Sequence, residues 1–268
     1  ENLKNFIGKG YNHIHVTPDP ETMRKLDKIG LIEFGQGYYG WLIAIHTSII
    51  RIAKQFNIKL IVYAEDGEIE YGGSTIYKNE AVYGTKRMKA QYLNGTVESV
   101  LSKASLGEEK RFWFTFDNND SFINELDVTH YSYFEPWDSY RNYLVAKEHC
   151  GLKELESSST GTFTNFAQND QKLAALHYYL MYIKFGFGRA TQDAGIEIRR
   201  GAMTRDQAIL LVNLYDNQAP VEYYNDYHNY FNITADEFEE ILEKFVNRDL
   251  FESDGKGLVK PRFDVGIK

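Results

Sequence analysis

Cysteine is nearly absent from this sequence: Cys150 stands alone among 268 residues. That excludes an internal disulfide and a cysteine-based zinc site within these residues. A reducing cytoplasm is the expected setting, and Cys150 reads as a small buried filler rather than a nucleophile. Positive charge is also short. Thirty Lys and Arg against 38 Asp and Glu give a formal net charge of -8, so general attraction to nucleic acid or to an anionic membrane is not expected. Any anion has to be held by a local cluster. No run is long and apolar enough to insert in a membrane, since "GYYGWLIAIHTSIIRIA" is interrupted by His46 and Arg51. No secretory signal is visible. The Gly-x-Ser-x-Gly elbow, the His-Glu-x-x-His zinc pair and the Gly-x-Gly-x-x-Gly fingerprint are all missing, and the chemistries they serve lose support.

What is present suits a folded protein with a sizeable core: 43% hydrophobic and 25% charged residues. Helical and strand-like segments alternate in the first half: "ENLKNFI", then "HIHVT", a helix from about Pro20 to Ile32, the helix "WLIAIHTSIIRIAKQF" and the strand "KLIVYAED". Such alternation predicts an α/β fold with a parallel sheet, and the nearly continuous apolar run in "KLIVYA" predicts a central strand buried on both faces. "RFWFTF" fits a strand or an aromatic core element. The second half reads as helical, with "DQKLAALHYYLMYIKFG" ending on Gly186, Thr204 capping "TRDQAILLVNLYD", and Thr234 with Glu237 forming a capping box in "TADEFEEILEKF". The expected division is residues 1–134 as an α/β domain and 135–268 as a mainly helical portion. The chain opens without methionine on a helix already under way, which reads as the remainder of a longer protein that has lost a first strand and loop.

Four constellations could carry chemistry. Glu65, Asp66, Glu68 and Glu70, followed by Gly72 and Gly73, lie just past a predicted buried strand. Ligands in parallel sheets bind at such strand ends, and Mg²⁺ takes one or two carboxylates beside substrate phosphates. The same residues would equally make a solvated acidic turn. Between Ile183 and Arg205 the sequence sets Arg189, Arg199, Arg200 and Arg205 among glycines, which suits phosphate or carboxylate, while Glu197 and Arg199 could equally form an ordinary ion pair at a helix edge. His13 and His15 share one face of a predicted strand but lack a third ligand, while His46 and His177 sit in apolar helices. The aromatic stretch "SYFEPWDSYRNY", with Trp137, Asp138 and Arg141, could stack on a sugar or a base, or fill a core.

The block "GTFTNFAQNDQKLAALHYYLMYIKFGFGRATQDAGIEIRRGAMTRDQAILLVNLYD", Gly161 to Asp216, closely resembles the signature region of the bacterial N-acetyl sugar amidotransferases. "EDGEIEYGG", "FEPWDSYRNYLVAK" and "ITADEFEEILEKF" resemble the same family in the same order. The resemblance implies a doubly wound parallel sheet of the adenine nucleotide α-hydrolase (PP-loop) type with a helical C-terminal portion. It also implies ATP and Mg²⁺ as cofactors and a nucleotide-activated N-acetyl sugar as substrate. The implied reaction turns an acetamido group into an acetamidino group through an adenylated intermediate and ammonia, in O-antigen and in pseudaminic or legionaminic acid pathways. A glutaminase with a cyclase-like companion subunit is the implied ammonia source. "AEDGEIEYGG" and "GRATQDAGIEIR" are further similar to segments of the asparagine synthetases. That similarity implies Mg²⁺ and pyrophosphate handling by Glu65 and Glu68 beside Gly72 and Gly73. It implies a cofactor contact for Thr191 and catalytic roles for Arg189, Glu197 and Arg199, while the family resemblance makes Lys184 a further candidate cofactor contact. His46, Trp137, Asp138, Arg141 and Arg205 become candidate substrate contacts.

The sequence departs from the family by carrying neither the cysteine-rich N-terminal segment nor the Ser-Gly-Gly-Lys-Asp-Ser phosphate loop, so these residues alone are expected not to hydrolyse ATP. Two other readings stand beside the enzyme. One is a non-catalytic or split subunit that binds the nucleotide sugar or a glutaminase. The other is a different PP-loop ligase that makes an amide or modifies a tRNA base, and the acidic balance counts against tRNA.

Overall fold

The structure is a computed structural model that describes residues 1–65, 75–77, 79–93, 97–117, 119–167 and 171–266. It divides into two compact units, one made of Glu1–His15 with Asp138–Lys268 and the other of Val16–Trp137. The first unit begins with helix α1 (Asn2–Ile7).

In Val16–Trp137, α2 (Pro20–Phe34) and α3 (Tyr39–Gln55) form an antiparallel hairpin. Pro20 starts α2 at the position where its missing N–H costs nothing, and Asp19 caps the same end by accepting from the Thr22 amide at 3.0 Å. Gly35, at φ 61°, ends the helix in the left-handed region. The two helices cross on glycines. A Cβ on Gly30 would lie 2.2 Å from Cβ of Tyr39, and one on Gly40 would lie 2.8 Å from Cβ of Leu26. Gly30→Ala is therefore expected to force the helices apart and to lower stability by about 2–3 kcal/mol. Urea denaturation checks this, and an unchanged midpoint would show that the crossing yields freely.

The strands β1 (Leu60–Tyr63), β2 (Val82–Gly84) and β3 (Asp127–His130) form a sheet in the order β1-β3-β2, with β1 parallel and β2 antiparallel to β3. Between them run α4 (Thr85–Leu93), α5 (Val97–Ala104) and the short turns α6 (Glu108–Arg111) and α7 (Ser121–Asn124). Ile50, Ile61, Tyr83, Met88 and Val128 make one core cluster, and Leu26, Tyr39, Ile43, Leu93, Leu101 and Phe114 another. The parallel β1–β3 pair is the expected α/β element. β1 itself is not central: it stands at the end of the strand order, with Ile61 buried while Leu60 and Val62 are exposed. "HIHVT" forms no strand either, while "RFWFTF" is the aromatic core element of its two readings, a turn of 3₁₀ helix at Phe112–Phe114 that buries Phe114. Short apolar runs do not reveal whether a neighbouring strand exists to pair with them.

The other unit continues with α8 (Ser139–Cys150), α9 (Leu173–Phe185), α10 (Arg189–Arg199), α11 (Arg205–Tyr215), α12 (Tyr224–Phe231) and α13 (Ala235–Lys244). A hairpin of β4 (Phe251–Ser253) and β5 (Val259–Pro261) follows. α9 is apolar around almost its whole circumference, with Leu176, Tyr179, Leu180 and Ile183 at 2% exposure or less, and it is the centre of this unit. Gly186 ends it at φ 81°. Capping boxes at Thr204 with Gln207 and at Thr234 with Glu237 start α11 and α13. α1 is tied on by Asn2, which pairs with both backbone groups of Lys153 at 2.8 and 3.0 Å, and by Asn5, which donates to the Gly151 carbonyl. Cys150 is free and half-buried at the end of α8, not the fully buried filler its residue type suggests.

Candidate functional site

In Val16–Trp137, the carboxyl ends of the parallel strands gather a polar aromatic cluster. Tyr63 ends β1 and His130 ends β3, and the two are partners in the parallel register. The His130 ring stacks on Tyr63 at 5.5 Å and on Tyr83 at 5.8 Å. Its Nδ1 lies 2.6 Å from the Glu65 carbonyl and its Nε2 lies 2.6 Å from the Tyr83 hydroxyl. A carbonyl only accepts, so Nδ1 carries the proton and, in the neutral ring, Nε2 accepts from Tyr83. His46, on α3, is 5% exposed and meets the Tyr63 hydroxyl through Nδ1 at 2.8 Å. Burial, reinforced by the nearby His130, pushes the His46 pKa down to about 4, so the ring is neutral near pH 7. Burial likewise raises the Tyr63 phenol. Glu65 follows β1 and is exposed. Glu68, Gly72 and Gly73 lie outside the described residues, as do Asp66 and Glu70. Trp137 is half-buried, with its indole nitrogen enclosed and without a hydrogen-bond partner among the described residues.

In the other unit the arginine-rich stretch resolves into two supports. α10 starts at Gly188, which has no side chain to cap it. The cap comes from Asp216, at the end of α11 and 4% exposed. It accepts from the Gly188 amide at 2.9 Å, the Thr191 amide at 3.1 Å and the Thr191 hydroxyl at 2.5 Å. The Ala190 amide donates to the Gly161 carbonyl at 3.1 Å. Orphan amides at a helix start attract anions; here protein acceptors engage these three. The glycine at 188 is what lets the carboxylate in, since a Cβ there would lie 2.8 Å from Asp216 Oδ1. Desolvation raises the Asp216 pKa, and the bonds from Thr191 and Gly188 counter it.

The second support is Arg189, 4% exposed, whose Nε donates to Asp193 Oδ1 at 2.9 Å; Asp193 Oδ2 accepts from the Thr162 hydroxyl at 2.5 Å. Burial raises the Asp193 pKa, and Arg189 opposes that rise. The guanidinium of Arg189 also lies 5.9 Å above the Tyr178 ring. Arg189 and Thr191 therefore face inward, while Arg199 is exposed at the far end of the helix. Glu197 is joined to Arg200: the Arg200 guanidinium donates through Nε at 2.8 Å and reaches the same carboxylate through Nη2 at 2.7 Å. Spacing of three brings those side chains together on a helix, whereas two does not.

Arg200 also lies 3.6 Å from Asp138 and 5.1 Å above Tyr140, so Asp138, Glu197 and Arg200 make one cluster. Asp138 meanwhile caps α8 by accepting from the Arg141 amide at 2.9 Å, and the Arg141 side chain is exposed. Arg205 opens α11 and donates to the Gly266 carbonyl at 3.3 Å. Lys184, in the last turn of α9, packs by the rings of Phe185 and Phe245, and burial lowers its pKa. His177 is pushed down to about 4 by burial, with Lys184 and Arg189 adding to the fall. Among the described residues no three His, Cys, Asp or Glu side chains group as a metal site, His13 and His15 included.

Sequence reasoning missed Tyr63, Tyr83, His130, Asp193 and Asp216. Only His130 and Asp216 left a trace, each polar at the very end of an apolar segment. Partners 17, 25, 28 and 47 residues away are not visible in local spacing.

The fold and these clusters define an α/β chain whose mainly helical unit holds its polar groups in buried, fixed arrangements. Within it, residues 160–262 match the family described as LPS biosynthesis protein WbpG-like, C-terminal domain. The match runs from just before α9 to β5 and contains Arg189, Asp193, Glu197, Arg199 and Asp216. Comparison with curated proteins gives no match.

Proposed function

We propose that this protein works in LPS biosynthesis as an ATP-dependent N-acetyl sugar amidotransferase. The observation that carries the reading is the family match over residues 160–262, the stretch that holds the block resembling those enzymes. The amide oxygen of an acetamido group on a nucleotide-activated sugar attacks the α-phosphorus of ATP. The bond to the bridging oxygen breaks and pyrophosphate leaves. Ammonia then adds to the activated carbon, and the C–O bond breaks with AMP taking the electron pair, which leaves an acetamidino group after loss of a proton. An amide is a poor electrophile, and adenylation supplies a leaving group.

Mg²⁺ would hold pyrophosphate oxygens, a task for which one or two carboxylates beside phosphate suffice. Glu65, exposed past the end of β1, fits that requirement, and Glu68 is proposed with it. The cytoplasm, a glutaminase with a companion subunit as ammonia source, and the doubly wound PP-loop sheet belong to the same proposal. Arg199, exposed at the end of α10, is proposed as an arginine that meets the anion. Arg189 and Glu197 act as positioning residues, the first by fixing Asp193 and Thr162 and the second by fixing Arg200.

The test is pyrophosphate release by the protein expressed from its own gene, given ATP, Mg²⁺, ammonia and a nucleotide-linked diacetamido sugar. Release that depends on the sugar is expected, with Arg199→Ala lowering kcat/KM about 100-fold. Release without sugar, or none at all, overturns the reading. The closed start of α10 favours a second one, a subunit that binds the nucleotide sugar without turning it over. Calorimetry showing sugar nucleotide binding without pyrophosphate release would select it.

A further inference from the structure

A chain of polar contacts crosses the three-stranded sheet at the carboxyl ends of its parallel pair. β3 is the middle strand, and its last residue, His130, has Tyr63 of β1 beside it in register. Tyr83 of β2 pairs with Val128, two residues before His130 and so on the same face of the sheet. The His130 ring stacks on both tyrosines, at 5.5 and 5.8 Å. Each flanking ring is itself held. The Tyr63 hydroxyl meets His46 at 2.8 Å, while the Arg87 guanidinium lies 4.5 Å above the Tyr83 ring and donates to Glu80 at 2.9 Å.

Both ring nitrogens of His130 are engaged. The Tyr83 hydroxyl donates to Nε2 at 2.6 Å, which leaves the proton on Nδ1, and Nδ1 donates to the Glu65 carbonyl at 2.6 Å. The ladder between β1 and β3 ends at the Tyr63–His130 pair, so the ring carries the pairing one step further, onto a residue that has already left the strand. A ring held on both faces and at both nitrogens keeps little rotamer freedom. The peptide it grips is fixed in turn, and with it the direction in which the exposed Glu65 side chain leaves the backbone. Packing alone does not call for this: a phenylalanine would stack on the same two tyrosines. What histidine adds is the donor to Glu65.

We propose that His130 is a positioning residue: by holding the Glu65 peptide through Nδ1 it aims the Glu65 carboxylate and sets the affinity of that carboxylate for a divalent cation. The inference rests on Glu65 as a Mg²⁺ ligand, and its test needs no turnover. Mn²⁺, standing in for Mg²⁺, is titrated into the whole protein and followed by electron paramagnetic resonance, and the site read is the one that Glu65→Gln removes. His130→Phe keeps the stacking and loses the donor, so it is expected to weaken that site about tenfold. His130→Asn restores a donor where Nδ1 stood and is expected to bind as the unaltered protein does. Tyr83→Phe removes only the hydroxyl that fixes the ring's tautomer, is expected to cost about threefold, and serves if His130→Phe does not fold. Circular dichroism checks each variant. Ring-nitrogen NMR of the metal-free protein is expected to find the His130 proton on Nδ1. A proton on Nε2 alone overturns the proposal, as does unchanged affinity in His130→Phe or, where that variant does not fold, in Tyr83→Phe. Equal losses in His130→Phe and His130→Asn overturn it as well, since they show support without aim. The lack of any site removed by Glu65→Gln overturns it together with the Mg²⁺ role of Glu65. If the site responds as expected while no sugar-dependent pyrophosphate release is found, the amidotransferase reading alone fails.

Discussion

Asp216→Ala is expected to lower the unfolding free energy by about 3–5 kcal/mol, because it leaves the Gly188 and Thr191 amides and the Thr191 hydroxyl without their acceptor in a buried place. An ordinary capping loss is nearer 1 kcal/mol, roughly. The excess follows from burial, since water cannot replace the missing carboxylate. Asp216→Asn, which keeps one acceptor oxygen, should fall between the two proteins. Guanidinium denaturation of the three proteins checks the order. A loss below about 1 kcal/mol for alanine would mean that the start of α10 finds other acceptors. The same carboxylate holds the helix that carries Arg189, Glu197 and Arg199, so any activity should fall with it.

Acid is expected to destabilise the protein well before its carboxylates titrate. His46 has a folded pKa of about 4 against an ordinary 6.5. Between those values the unfolded chain binds more protons than the folded one, so stability falls as pH drops from about 6.5 to about 4 and levels off below. At pH 5 the loss from His46 alone comes to about 2 kcal/mol. His177, also near 4, adds in the same direction. Asp193 and Asp216 work the other way. Their pKa values are raised by burial, so the folded state binds protons more readily and regains stability as pH falls toward 3.8. Urea midpoints between pH 7.5 and 5 measure the slope. His46→Gln should flatten it, since glutamine can still bond to Tyr63 but takes up no proton. An unchanged slope in that variant would show that His46 titrates normally.

Helix ends were legible wherever the cap is local. Thr204, Thr234, Gly186 and the Pro20 start are each written within three or four residues of the helix they bound, and each forms as the sequence predicts. Helices whose caps come from elsewhere were not. α3 begins at Tyr38, which cannot cap, and Asp27 from α2 accepts from the Gly40 amide at 2.7 Å instead. α10 begins at Gly188 and takes Asp216 in the same way. In both cases a buried aspartate on one helix closes the start of another, and neither aspartate differs in sequence from a surface acid. β1 shows the same limit in a sheet, because "KLIVYA" states its apolarity but not its place at the end of the strand order.

The amino-acid sequence by itself determined the locally capped helices, the absence of an internal disulfide within these residues and the match of residues 160–262, because periodicity, capping and motif order are properties of neighbours along the chain. Tertiary structure alone decided which charges are buried. It turned Arg189 inward onto Asp193, joined Glu197 to Arg200 and set His130 between two tyrosines. A side chain's charge and its hydrogen-bond partners depend on what surrounds it in space, and that is fixed only when distant segments pack.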